Sequence, residues 1–172
     1  MEYDTELFES VTKYLKDRDS EARMTHCTEV YPDVFVGTDQ QAENKRELII
    51  MGITDVITFD VHYLRSNYYR DSGIQYHPVD IADEAEPKKN YIPVFLETAD
   101  LIDTIIRKGG KVFLFCNAGY RKSPAVAMAY LMTKRGMTIT EASKLVSKTR
   151  RILPHDGLVK QLCILNKKLY GK

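Results

Sequence analysis

Apolar positions recur at helical spacing near the start of the chain, where Leu7, Phe8, Val11, Tyr14 and Leu15 share one face of a helix over residues 5–16. Residues 29–37 are rich in β-formers, and Tyr31-Pro-Asp33 reads as a turn between two short strands. A helix over 42–51 stops at Gly52, and a strand follows over 53–59. Residues 61–72 are aromatic and polar without a period and read as loop. A strand over 74–79 leads into an acidic loop, Asp80-Ile-Ala-Asp83-Glu84-Ala-Glu86. A helix over 91–108 tolerates Pro93 in its first turn and is broken by Gly109-Gly110. Residues 111–115 read as a strand, apolar without interruption from Val112, the pattern of a strand buried on both faces. A helix over 124–135 is closed by Gly136, Thr138-Ile-Thr-Glu141 is a capping box for the next, and 156–170 is the last. Strands alternating with helices predict one α/β domain: a central, mostly parallel sheet flanked by helices. A helical segment, residues 1–25, precedes the main body, residues 26–172, with no internal repeat or linker between them.

Composition adds bounds. The chain has 172 residues, enough for one domain with a full core, and 28% charged with 44% hydrophobic residues suits a water-soluble globule. No apolar run approaches the roughly 18 residues of a membrane span, and the acidic start lacks the basic region of a signal peptide. Cys27, Cys116 and Cys163 cannot all pair and match no zinc spacing, so a reducing compartment, cytoplasmic or nuclear, is expected. The net charge of +1 hides a segregation: residues 1–106 carry 10 Lys+Arg against 22 Asp+Glu, and residues 107–172 carry 15 against 2. The basic third invites an anionic partner, phosphoprotein, phosphoinositide or nucleic acid, with phosphoprotein ahead of lipid or nucleic acid because no basic platform interleaved with aromatics is visible.

The chemistry concentrates where the buried run ends on Cys116. A short loop with Gly119 and then a helix follow it. Successive backbone N–H groups feeding a helix N-terminus form a phosphate-sized cradle, and Gly119 allows the tight curvature. The same positive helix end favours ionisation of a nearby thiol, so Cys116 is the candidate nucleophile for in-line attack on a phosphate. Ser123 is placed to hydrogen-bond the thiolate. A general acid is expected opposite, from Asp80, Asp83 or Glu84, among which spacing does not choose. Cys27 and Cys163 lack such context and are assigned to packing, and His26, His62, His77 and His155 show no ligand spacing. No metal or organic cofactor is implied.

Cys116-Asn-Ala-Gly-Tyr-Arg-Lys-Ser-Pro124, followed by Ala129-Tyr-Leu-Met132, resembles the cysteine-based dual-specificity protein phosphatases, in particular their small atypical members. The segments 29–37, 48–56, 68–76 and 153–162 are similar to family segments in family order, so the resemblance spans about residues 26–170. It implies a protein-tyrosine-phosphatase-like fold. It makes Cys116 the nucleophile, and Asn117, Ala118, Gly119, Tyr120, Arg121 and Lys122 the phosphate loop. Ser123 becomes the assisting hydroxyl and Asp83 the general acid. Arg150 matches a position that binds a second phosphate in some relatives.

Two positions depart from the family motif, in which His precedes the cysteine and Arg stands sixth after it: here they are Phe115 and Lys122. Lysine keeps the charge but loses the planar fork that grips two phosphoryl oxygens. Losing one such donor costs ~2.7–4 kcal/mol, a factor of about 10²–10³ in rate. Phe115 donates no hydrogen bond where the family His orders the loop. Arg121 sits one residue early and is read as surface charge at the pocket mouth. Two readings stay open: a pseudophosphatase that binds phosphorylated protein, which the two departures favour, and a weak but real phosphatase, which the retained Cys116, Asp83 and Ser123 favour.

Overall fold

A computed structural model of the chain describes residues 2–18, 27–59, 64–81, 89–116, 121–148, 152 and 154–171. Among them are five strands: β1 (Thr28–Tyr31), β2 (Val34–Thr38), β3 (Asp55–Thr58), β4 (Gln75–Pro78) and β5 (Val112–Cys116). The helices are α1 (Thr5–Arg18), α2 (Asp39–Glu43), α3 (Lys45–Met51), α4 (Ile92–Arg107), α5 (Lys122–Lys134), α6 (Ile139–Ser147) and α7 (Asp156–Tyr170). The strands form one sheet in the order β1-β2-β5-β3-β4. β1 pairs antiparallel with β2 through a turn in which Asp33 takes a positive φ of 68°, and the other pairings are parallel.

The last strand in sequence is the middle one in space. All five residues of β5 are buried, as its apolar run requires. Its side chains alternate between two cores. Val112, Leu114 and Cys116 join the larger one, with α1, α4, α5, α6 and α7. Phe113 and Phe115 join a smaller one, with Ala42 of α2, Leu48 of α3, Val56, Tyr69 and Ile74. α5 is buried without interruption from Lys122 to Met132, as a helix enclosed by others must be, and packs chiefly on α4, α6 and α7.

The helix expected over 42–51 is two. Thr38 caps α2 in a capping box with Gln41, and Asn44 both ends α2 and caps α3 through the Glu47 N–H. Gly52 closes α3 at φ 82°, where the sequence places the stop. Part of the expected loop over 61–72 is ordered by a 3₁₀ turn at Arg70–Ser72 and by the buried Tyr69, whose hydroxyl donates to the Ala42 carbonyl. α5 begins at Lys122, two residues before the expected Pro124, which sits comfortably inside the first turn.

At the turn into β5, a Cβ on Gly110 would lie 2.6 Å from Thr54 Oγ1 and 2.9 Å from the Ile105 carbonyl oxygen. The backbone cannot yield there, so Gly110→Ala is expected to cost about 1–3 kcal/mol, read as a fall of several degrees in the melting midpoint. The capping box foreseen at Thr138 is present: its hydroxyl accepts from the Glu141 N–H at 3.2 Å, and Glu141 Oε1 accepts from the Thr138 N–H at 3.3 Å. Thr138→Ala should cost about 1 kcal/mol by the same measurement.

Candidate functional site

Parallel strands leave a crevice beyond their carboxyl ends, and three meet there: Thr38 of β2 and Cys116 of β5 are register partners, as are Thr58 of β3 and Phe115. The Phe59 N–H donates to the Phe115 carbonyl at 3.1 Å and so carries β3 alongside β5 up to the cysteine. Cys116 is 4% exposed and faces the larger core. Between it and α5 lie only residues 117–121. The site is therefore the junction of a buried strand with a buried helix.

α5 carries no side-chain cap, whereas α2, α3, α6 and α7 each do. Its first residue is Lys122, 8% exposed, whose Nζ donates to the Phe59 carbonyl at 3.2 Å. An ammonium at the N-terminus of a helix lies at the wrong end of the helix dipole, so an anion between the two relieves both. Ser123 follows, fully buried, and its Oγ has no hydrogen-bond partner among the described residues. A buried hydroxyl left unsatisfied costs about 1–3 kcal/mol, and here it stands at a helix start close in sequence to a thiol. Arg121, at the N-cap position, is exposed.

Phe115 is fully buried on the opposite face of the sheet from Cys116, its ring stacked on Phe113 with centroids 6.0 Å apart. The smaller core fills the space around it with aliphatic and aromatic side chains. The structure thus brings Cys116, Lys122 and Ser123 to one end of β5. Asp83, Asn117, Ala118, Gly119, Tyr120 and Arg150 lie outside the described residues. Glu84 lies outside them too, so Asp80 is the one candidate acid among the described residues, and it is exposed.

The cysteines assigned to packing differ from Cys116 in setting. Cys27 packs on the smaller core. Cys163 is buried in α7, and burial, with the Asp4 carboxylate adding to it, pushes its thiol up to about 12. Two of the histidines have structural partners: His77 Nε2 lies 2.8 Å from Asp55 Oδ2, and His155 Nδ1 accepts from the Gly157 N–H to cap α7. Sequence reasoning missed two partners around the site. One is the Phe59 carbonyl, for which no residue type gives a signal. The other is Gln161, a polar residue inside the apolar run of α7, which bonds the chain just beyond the acidic loop.

Comparison with known proteins agrees with this geometry. Residues 34–168 match the family described as dual specificity phosphatase, catalytic domain. The chain is 33% identical over 147 residues to dual specificity protein phosphatase 26 of Homo sapiens, covering 84% of this chain and 69% of that protein. It is similar to the structure of the human tyrosine phosphatase-like serine/threonine/tyrosine-interacting protein, with TM-score 0.73 and 31% identity, covering 85% of this chain and 98% of the other. It is also similar to a mouse putative dual specificity phosphatase complexed with zinc tungstate, with TM-score 0.76 and 25% identity, covering 88% and 92%. A buried strand ending in a cysteine, a five-residue connection, a buried uncapped helix and this extent of likeness lead to one conclusion: the chain belongs to the dual-specificity phosphatase family, among its small atypical members.

Proposed function

We propose that this chain is a catalytically impaired dual-specificity phosphatase that holds the phosphate of a phosphorylated protein after β5 and turns it over slowly or not at all. Lys122 carries the reading. The residue in the position of the family's arginine has its ammonium 3.2 Å from a backbone carbonyl of β3's extension. A single ammonium offers an anion a point charge and no planar fork. Binding of a ground-state phosphate needs charge and N–H donors, which the α5 N-terminus, Lys122 and the loop from Asn117 through Ala118, Gly119, Tyr120 and Arg121 supply. The transition state needs two oxygens gripped at once, which Lys122 does not supply. Arg150 adds charge for a second phosphate, and the basic last third of the chain attracts an acidic phosphoprotein, in keeping with the reducing cytoplasmic or nuclear setting that the free thiols suit.

The chemistry that the retained groups would perform is defined. The Cys116 thiolate attacks phosphorus, forming an S–P bond as the bond to the leaving oxygen breaks. Asp83 protonates that oxygen. Water then attacks the phosphocysteine, and the thiolate leaves with help from the Ser123 hydroxyl. The unpartnered Ser123 Oγ favours the second reading, a weak phosphatase, since a buried hydroxyl without a partner is explained by a thiolate or phosphoryl group it is to meet. Two relatives support the choice from different sides: one is named phosphatase-like and interacting, and another was crystallised with tungstate, a tetrahedral oxyanion like phosphate.

The deciding experiment measures hydrolysis of 4-nitrophenyl phosphate and binding of tungstate, on the native chain and on Cys116→Ser. Turnover at the level of the Cys116→Ser control, beside tungstate binding that raises the melting midpoint, is the expected result. Turnover well above that control makes the chain a phosphatase. Absence of both sinks the phosphate-binding reading itself.

Lys122→Arg should restore the fork and raise kcat by about 10²–10³, alone or with Phe115→His. The single change is expected to give most of the gain. Phe115→His places a polar ring in an apolar core, so its benefit to the loop is offset by a lower melting midpoint. A repaired chain that binds tungstate and still fails to hydrolyse would show that something other than these two positions disables catalysis.

A further inference from the structure

β4 is an edge strand of the sheet, and its side chains break the pattern that a strand packed on a core obeys. Its register with β3 pairs Gln75 with Asp55 and His77 with Ile57. Paired residues stand on one face of a sheet, and Ile57 places that face in the larger core, which α4 covers. Apolar side chains are expected there. Asp55, Gln75 and His77 stand there instead. Tyr76, on the other face, packs on the smaller core as a strand residue should.

α4 packs on α5 and on β5, in from the edge of the sheet. Toward the polar strip of β3 and β4 it turns Leu101 and Ile105. A polar strand face and an apolar helix side do not fill the space between them, and a pocket of about 410 Å³ remains. The pocket lies at the amino ends of β3 and β4, whereas Cys116 ends β5 at its carboxyl end. A local conflict between sequence pattern and burial is expected at a functional place.

The polar groups of the pocket are fixed. The Asp55 side chain is 15% exposed. Its Oδ1 accepts from Thr54 Oγ1 at 2.7 Å, and its Oδ2 lies 2.8 Å from His77 Nε2. A carboxylate only accepts, so Nε2 carries the proton and Nδ1 of the neutral ring is an acceptor. That nitrogen makes no hydrogen bond among the described residues. This wall therefore offers a ligand negative charge and acceptors. The other charged residue on the pocket is Lys108, at the end of α4. It is exposed and joins no ion pair among the described residues. Asp55 and Lys108 thus border one pocket without pairing, and they share its apolar lining.

We propose that this pocket binds a small zwitterion, an amino acid with a short aliphatic body. Its ammonium donates to Asp55 and to His77 Nδ1, its carboxylate meets Lys108, and its carbons lie on Leu101 and Ile105. A simple amine would bring a second cation toward Lys108, and a simple carboxylate a second anion toward Asp55. A ligand with both charges answers both. The volume falls in the ordinary range of small-molecule sites, about 300–1,000 Å³, which are lined mostly by apolar groups with a few fixed polar ones. The site is separate from the phosphate cradle and does not depend on turnover there.

The test titrates the full, nitrogen-15-labelled chain with 4-aminobutanoate, 6-aminohexanoate and 8-aminooctanoate, and follows its amide and imidazole resonances. n-Hexylamine and hexanoate, with one charge each, are the controls. At least one of the three amino acids should give saturable shifts at Thr54, Gln75, Leu101, Gly109 and the His77 ring nitrogens, with none at the start of α5. The controls should bind at least about tenfold more weakly, and saturating tungstate should leave the amino acid's affinity unchanged. Lys108→Met, at an exposed position, should lower that affinity about tenfold without moving the melting midpoint. Asp55→Asn should lower it as much. Should loss of the bond to His77 prevent that variant from folding, Lys108→Met and the two controls decide alone.

No saturable shift with any of the three amino acids would overturn the proposal. Equal affinity for n-hexylamine or hexanoate would do so as well, because one of the two protein charges would then be idle. Competition by tungstate would place the amino acid in the phosphate cradle and remove the second site. Tighter binding of a peptide ending in lysine than of 6-aminohexanoate would make the pocket a docking point for a protein tail, and the small-molecule assignment would fall.

Discussion

Everything in this molecule is arranged around a strand that has no exposed face. β5 is hydrogen-bonded on both edges, to β2 and to β3, and packed on both faces. Its end cannot be left as an open row of backbone groups, since buried N–H and carbonyl groups must find partners. The chain meets this constraint by turning at once into α5, itself buried from Lys122 to Met132. A buried helix start has N–H groups to satisfy and a positive end to neutralise. On the proposed function, the anion site is in this sense a consequence of the fold: it lies where a buried strand gives way to a buried helix.

The alternation along β5 also separates the two departures from the family motif into different kinds. Phe115 and Cys116 are neighbours in sequence but stand on opposite faces of the sheet. Phe115 completes an aromatic layer with Phe113, under Tyr69 and Tyr76. Its replacement of a polar ring therefore has a compensation in packing, and the smaller core is the drier for it. Lys122 differs in kind, since it bears on charge and not on packing. It is a buried cation in the first turn of a helix, and one of its bonds goes to the Phe59 carbonyl. One change is a matter of core packing, whereas the other, on the proposed function, alters what the site can grip.

What could be read from the sequence followed from local rules. The run of apolar residues into Cys116, the break at Gly109-Gly110, the turn at Pro32-Asp33 and the capping box at Thr138 each depend on residues within four positions of one another, and each appears where expected. The division between α2 and α3 was missed although it too is local: the capping box of Thr38 with Gln41 was hidden inside a stretch that also reads as continuous helix, and Asn44 ends one helix as it caps the next. The early start of α5 was missed because Pro124 reads as a first residue and is in fact the third. The partners of the site were out of reach for another reason. Lys122 meets Phe59 across 63 residues and Gln161 meets Lys89 and Tyr91 across 72 and 70, and in all three bonds the partner is backbone, which every residue type carries alike.

The retained thiol and hydroxyl need not mark retained catalysis, because the same groups serve binding. A phosphate held without turnover asks for a positive, donor-rich, water-poor pocket, and a small thiol at its floor meets that demand with no clash. Turnover asks in addition that affinity grow as the phosphoryl group passes through its planar transition state. An ammonium responds weakly to that change, since its attraction depends on distance more than on the direction of the oxygens, whereas a guanidinium fork is matched to two oxygens in a plane. Substituting lysine therefore flattens the difference between ground state and transition state while leaving ground-state attraction in place. The contact between Lys122 and the Phe59 carbonyl moves the balance further the same way. A cation already bonded to the scaffold is a fixed charge for a bound anion and a poor follower of a moving one.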